Sequence, residues 1–128
     1  MTYTPPFILR NGHIQSIYPS FFRKVPSFPI YRERILTDDG DFLDIDWHKD
    51  NNKRLVILSH GLEGNSRRPY VLGMAMHALS NKWDALAWNY RGCSGVPNNL
   101  AASYHSGKTE DLSLIIKHAL THKYQEIA

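Results

Sequence analysis

The chain has a single cysteine, Cys93, in 128 residues. That excludes an internal disulfide framework and suits a reducing compartment. It has no run of five or more basic residues, because its positive charge is scattered over Arg32/Arg34, Lys53/Arg54, Arg67/Arg68 and Lys117/Lys123. A net charge of +3 without such a run, and without an RNA-binding or zinc-finger signature, argues against nucleic acid as a partner. No apolar stretch reaches the length of a membrane span, and residues 1–10 lack the basic start of a signal peptide. A cytoplasmic location is the resulting expectation. No internal repeat is visible. Hydrophobic residues at 42% and charged residues at 21% exclude the disordered class and allow one domain with a true core.

What is present divides into an arm and a body. Residues 1–30 are rich in proline and aromatics (Pro5, Pro6, Phe7, Tyr18, Pro19, Phe21, Phe22, Pro26, Phe28, Pro29). Prolines at this density forbid a long helix, and the aromatics need burial, so the expectation is an arm lying against the body with one short helical turn. Residues 31–37 and 42–48 flank Asp39-Gly40, a hairpin signal in which Asp-Gly supplies positive φ angles. In the second of these strands Leu43, Ile45 and Trp47 share one face, and Asp44, Asp46 and His48 the other. Residues 67–81 carry apolar residues at helical spacing, with Ser66 and Pro69 as start signals. Residues 84–90 read as a short apolar strand and 91–107 as a long Gly/Pro/Asn/Ser-rich loop. Residues 108–124 repeat Leu112, Ile115/Ile116 and Ala119/Leu120 on one stripe, and acids precede bases along the helix as its dipole favours. Hairpin, strand, helix, strand, loop and helix predict an α/β fold in which an antiparallel hairpin leads into parallel strands with crossover helices. Gln125-Glu126-Ile127-Ala128 begins a further strand. Such a sheet lacks its next strand, so the chain reads as unfinished, with an exposed edge able to recruit a partner strand.

The most informative stretch is Arg54-Leu-Val-Ile-Leu-Ser-His60-Gly61-Leu62-Glu63-Gly64-Asn65. A β-branched apolar run ending in glycine is a buried strand whose last turn bends sharply and leaves amide groups open to a ligand. Carboxyl ends of strands are where open α/β sheets bind ligands.

Four motifs carry a resemblance: Asn11-Gly-His-Ile-Gln-Ser, His60-Gly-Leu-Glu-Gly, Asn89-Tyr-Arg-Gly-Cys-Ser-Gly and Tyr104-His-Ser-Gly-Lys-Thr-Glu-Asp. In this order and spacing they resemble the YheT-like group of α/β-hydrolases, from about Phe7 onward. The resemblance implies the N-terminal half of an α/β-hydrolase sheet, with residues 1–30 as the arm and 31–128 as a partial core. It implies a serine hydrolase of carboxylic esters, an esterase or lipase, that needs no cofactor and takes a small-molecule ester. In that family the nucleophile sits in a Gly-x-Ser-x-Gly elbow after the fifth strand, and the acid and histidine follow. The fifth strand would begin near Ile127, so no catalytic triad residue is expected before Ala128. By the same resemblance the Leu62 N–H is one oxyanion donor, His60, Gly61, Glu63 and Gly64 form its loop, and Tyr104, His105 and Ser106 shape the site region. An inactive fragment, or one half of a split enzyme, is therefore expected.

Rival chemistry is weaker. Gly92-Cys93-Ser94-Gly95-Val96 lacks the last glycine of an elbow and a helix after the serine, so it reads as a turn. His60 reads as a structural imidazole bonded to neighbouring backbone. His118 and His122 stand at a metal-ligand spacing without a third ligand in view, so they read as a dipole-complementing pair and no metal is expected. Ala102 to Thr109 matches a phosphate loop except at its first position, which makes nucleotide binding through Gly107-Lys108-Thr109 an alternative. The strand that should aim that loop is missing. Gly61-x-x-Gly64 lacks the dinucleotide fingerprint, and Trp47, Trp83 and Trp88 read as core. The remaining alternative is a non-catalytic, partner-binding module.

Overall fold

A computed structural model of the chain describes residues 4–22, 24–101 and 109–128, with backbone alone at 19 and 20. Its elements are α1 (Gly12–Phe22), β1 (Tyr31–Leu36), β2 (Phe42–His48), β3 (Arg54–Ser59), α2 (Pro69–Ser80), β4 (Asp84–Trp88), α3 (Thr109–Leu120) and β5 (Glu126–Ile127). The strands form one sheet in the order β1-β2-β4-β3-β5. β1, β2 and β4 pair antiparallel, whereas β3 runs parallel to both β4 and β5. This is the expected α/β architecture, hairpin first and parallel strands after.

The two-residue period of the strands sorts side chains to two helical layers. Leu43, Ile45, Trp47, Leu55, Leu86 and Trp88 face α3, where Ile115 and Ala119 meet them. On the other side Ala85 packs against Ala75 and Ala78 of α2, with Val56, Leu58, Phe28 and Trp83 around them. Small residues on both surfaces let α2 approach the sheet closely.

The polar face of β2 is not a solvent face. Every residue of β2 is buried, and the carboxylates of Asp44 and Asp46 are each held by two nitrogens of one arginine, Arg34 and Arg32 respectively. A carboxylate enters a core only with such partners, and the alternating arginines of the edge strand β1 supply them. His48 is wholly buried against Phe28, and burial lowers its pKa. The hairpin turn also differs in detail from a two-residue Asp-Gly turn. Thr37 accepts from the Gly40 N–H at 3.0 Å, and only Gly40, at φ +82°, takes the left-handed conformation.

The arm departs most from expectation. Residues Phe7–Arg10 form a 3-10 turn, and α1 is an 11-residue helix rather than a short turn. Between Pro6 and Pro19 the chain is free of proline, which is room enough for two helical turns. Pro19 then costs one donor near the end of the helix. Nor are its apolar residues buried: Ile14, Ile17, Tyr18, Phe21 and Phe22 recur at helical spacing, and all are exposed. Among the described arm residues, Phe28 packs against the core.

Candidate functional site

β3 delivers the chain into a tight turn, Gly61 to Gly64, closed by the Gly64 N–H donating to the Gly61 carbonyl at 3.0 Å. Glu63 occupies its third position at φ +53°, while Leu62 before it has no positive φ. That combination is the pattern of a type II turn. The Leu62 side chain is 86% exposed, and its N–H has no acceptor among the described residues.

Three anchors hold this turn. The Gly61 N–H donates to the Tyr70 hydroxyl, on the first turn of α2, at 2.7 Å. His60 Nδ1 donates to the Gly61 carbonyl at 2.8 Å, and its Nε2 accepts from the Tyr90 N–H at 3.2 Å. Both ring nitrogens are thus engaged, which fixes the neutral Nδ1–H tautomer. Burial lowers the His60 pKa, the Gly61 carbonyl opposes that fall, and the Arg68 charge adds to it. At the far end Ser66 donates its N–H to Asn89 Oδ1 at 2.9 Å and its hydroxyl to Asp46 at 2.6 Å. Ser66 therefore does not start α2; Pro69 does, and no side chain caps the helix at Arg68. The serine is consumed in fastening the loop to β2 and β4.

Gly64 is dictated by close approach rather than by φ. A Cβ there would lie 2.9 Å from the Gly61 oxygen, 3.0 Å from the Tyr70 hydroxyl and 3.1 Å from His60 Nδ1.

The Asn89-Tyr-Arg-Gly motif is structural around this loop. Asn89 also donates from Nδ2 to the Asp44 carbonyl at 2.9 Å. Arg91 is buried and bonds Asp111 through two nitrogens, at 3.0 and 2.9 Å, and Asp39 through a third at 2.6 Å. It ties the exit of β4 to the start of α3 and to the hairpin turn. Its own pKa is raised, chiefly by the Asp111 hydrogen bonds. Asp39 is held down to about 2, first by Thr37 and then by Arg91. Residue type and spacing gave no signal for this pairing, which joins residues 20 and 52 positions apart.

Gly92 and Gly95 both have positive φ, and the Cys93 N–H closes a turn on the Tyr90 carbonyl at 2.9 Å. No helix follows Ser94, so this is a turn and not an elbow. Tyr104, His105 and Ser106, and Gly107 and Lys108 of the phosphate-loop alternative, lie outside the described residues. Thr109 opens α3 in a groove whose lining mixes the acids Asp38, Asp39, Glu110 and Asp111 with the bases Arg91 and Lys117. His118 and His122 do acquire a third neighbour, Glu33 of β1, which the sequence did not bring to them.

No protein-family model matches the chain. It is 37% identical over 111 residues to YheT of Escherichia coli strain K12, a protein whose name marks it a candidate esterase; the match covers 84% of this chain and 33% of that protein. The chain belongs to the YheT-like α/β-hydrolases. Human phospholipase ABHD3 is 27% identical over 126 residues, covering 91% of this chain and 31% of that protein. The chain spans about a third of the length of the curated relatives it matches. Among solved structures the Pyrococcus furiosus esterase Pf2001 superposes with a TM-score of 0.68 at 19% identity, over 79% of this chain and 39% of that one. This likeness shows the fold of the YheT-like segment. No helix among the described residues is long and apolar enough to cross a membrane.

Proposed function

We propose that this YheT-like segment is the oxyanion-loop half of a serine hydrolase of carboxylic esters, with serine, acid and catalytic histidine supplied by residues outside these 128. The observation that carries the reading is the Leu62 N–H: among the described residues it has no acceptor, and it stands at the carboxyl end of β3 in a turn fastened at both ends. When a serine oxygen adds to an ester carbonyl, the carbonyl oxygen becomes an anion. An N–H held in a fixed turn stabilises that charge without having to reorganise. His60 orients the turn and takes no proton, since both its nitrogens are engaged. Relatives named for esterase and phospholipase chemistry support an ester as substrate. A reducing, cytoplasmic setting and the absence of a cofactor belong to the same reading.

The sheet offers a place for the rest. Beyond Ile57, the edge of β3 that faces β5 makes no ladder contact among the described residues. A groove of about 740 Å³, lined by Leu58, Ser59, Tyr70 and Met74, runs beside it. A further strand and its helix, from a longer polypeptide or from a partner, would complete the site there.

The deciding experiment is Leu62→Pro in the protein isolated at its native length. Proline suits the second position of a type II turn, so the loop keeps its shape while the donor disappears. The expected loss in ester turnover is about 2.7–4 kcal/mol of transition-state stabilisation, with an unchanged melting temperature. Full activity in the proline variant removes Leu62 from the oxyanion hole.

A further inference from the structure

β1 and α3 bring together three side chains that lie far apart in sequence: Glu33, His118 and His122, whose ligand atoms all fall within 4.8 Å of one another. The histidines are four apart and pack ring to ring at 5.4 Å, one in the last turn of α3 and one just after it. His118 Nε2 is buried and lies 3.2 Å from Glu33 Oε1. The other carboxylate oxygen of Glu33 accepts from Trp47 Nε1 at 2.7 Å. That indole bond fixes the carboxylate so that its other oxygen, Oε1, faces the His118 imidazole. All three residues are half-buried, so the cluster is pre-positioned and still open to solvent ions.

We propose that Glu33, His118 and His122 bind one divalent transition-metal ion of the zinc class. Two imidazoles and one carboxylate form a donor set that suits Zn²⁺ better than Mg²⁺ or Ca²⁺, which prefer all-oxygen shells. Bonds of about 2.0–2.1 Å in a tetrahedral site place donor atoms about 3.3 Å apart. The Glu33–His118 pair is already at that spacing, and His122 closes the remainder by side-chain rotation. The bond from Trp47 to Glu33 has the place of the outer-shell contact that orients a ligating carboxylate. The opposing charge is Lys49, whose ammonium stands over the Trp47 ring at 3.7 Å and bears on His122. Its stem is flexible enough to swing toward water. A metal here would clip the edge strand β1 to the end of α3, at a distance from the Gly61–Gly64 turn and independent of any ester chemistry.

The test is isothermal titration of the 128-residue protein with Zn²⁺, alongside tryptophan fluorescence with Cu²⁺, a quencher, because Trp47 touches both Glu33 and His122. One equivalent should bind, quench fluorescence and raise the melting temperature, as any ligand selective for the folded state must. Glu33→Gln keeps an acceptor for Trp47 and removes the charge; it should weaken binding by more than about tenfold. His118→Ala/His122→Ala should abolish binding while circular dichroism stays that of the folded protein. Binding that survives the double variant belongs to other histidines or Cys93 and overturns the proposal, as does the absence of any one-to-one event in the parent protein. A variant that fails to fold leaves Glu33→Gln and the parent titration to decide.

Discussion

Gly64→Ala is a perturbation of one methyl group whose size follows from the turn itself. The new Cβ would meet the Gly61 oxygen at 2.9 Å, the Tyr70 hydroxyl at 3.0 Å and His60 Nδ1 at 3.1 Å, where ordinary contact begins near 3.4 Å. Each neighbour is already committed: the Gly61 oxygen accepts from His60 and from Gly64 itself, and the Tyr70 hydroxyl accepts from the Gly61 N–H. Relief must therefore stretch bonds rather than move a loose side chain. Overpacking costs about 1–3 kcal/mol and a lost hydrogen bond about 0.5–1.5 kcal/mol. Because Gly64 has no positive φ, alanine recovers about 0.4–1 kcal/mol by restricting the unfolded chain. The net is a destabilisation of about 2 kcal/mol, or a fall of roughly 6–10 °C in melting temperature for a domain of this size. Differential scanning calorimetry measures it directly. Tyr70→Phe removes one clashing atom, so the double variant should be less destabilised than the sum of the singles, by about 0.5 kcal/mol or more. A Gly64→Ala protein that melts with the parent, or singles that add exactly, would refute the claim that this glycine is fixed by close approach.

Other outcomes are expected. Arg91→Leu leaves the buried Asp111 and Asp41 without their cation and should cost about 3–5 kcal/mol in urea unfolding; Arg91→Leu/Asp111→Leu should recover part of that loss. Acid should act in two stages. His48 and His60 have folded pKa values below 6.5 because burial disfavours their charged forms, so the stability of their neutral forms is present above 6.5 and is lost as pH falls below it. Asp39, held at about 2, contributes stability above 3.8 that is lost as pH falls toward 2. A melting temperature that does not fall between about pH 7.5 and pH 5, or a His48→Phe variant with the parent's slope there, contradicts the first stage. A fluorophosphonate probe should leave the 128-residue chain unlabelled, and a serine adduct in its intact mass would place a nucleophile within it.

Much of the fold was legible because it rests on local periodicity. The apolar alternation of β2, the short run of β3 and the stripe Leu112, Ile115, Ala119 each predict an element that forms, and Pro69 correctly opens α2. The arm differs from expectation because proline spacing, not proline number, decides where a helix can form: the stretch from Phe7 to Tyr18 is free of proline and coils. At the loop, glycine and histidine at a strand end pointed to the right place. The partners did not show, since Tyr70, Asn89 and Asp46 come from three different elements.

By itself, then, the sequence determined what depends on neighbours in the chain: which segments become strands and helices, the hairpin, and the turn after β3. It could do so because side-chain period and backbone preference act over a few residues. Only the tertiary structure decided which distant groups meet. It buried Asp44 and Asp46 under the arginines of β1, joined Arg91 to Asp111 and Asp39, and crowded Gly64 against Tyr70. It also carried Glu33 to His118 and His122, because crossing from β1 to α3 is a matter of how the helix lies on the sheet, which no local pattern encodes.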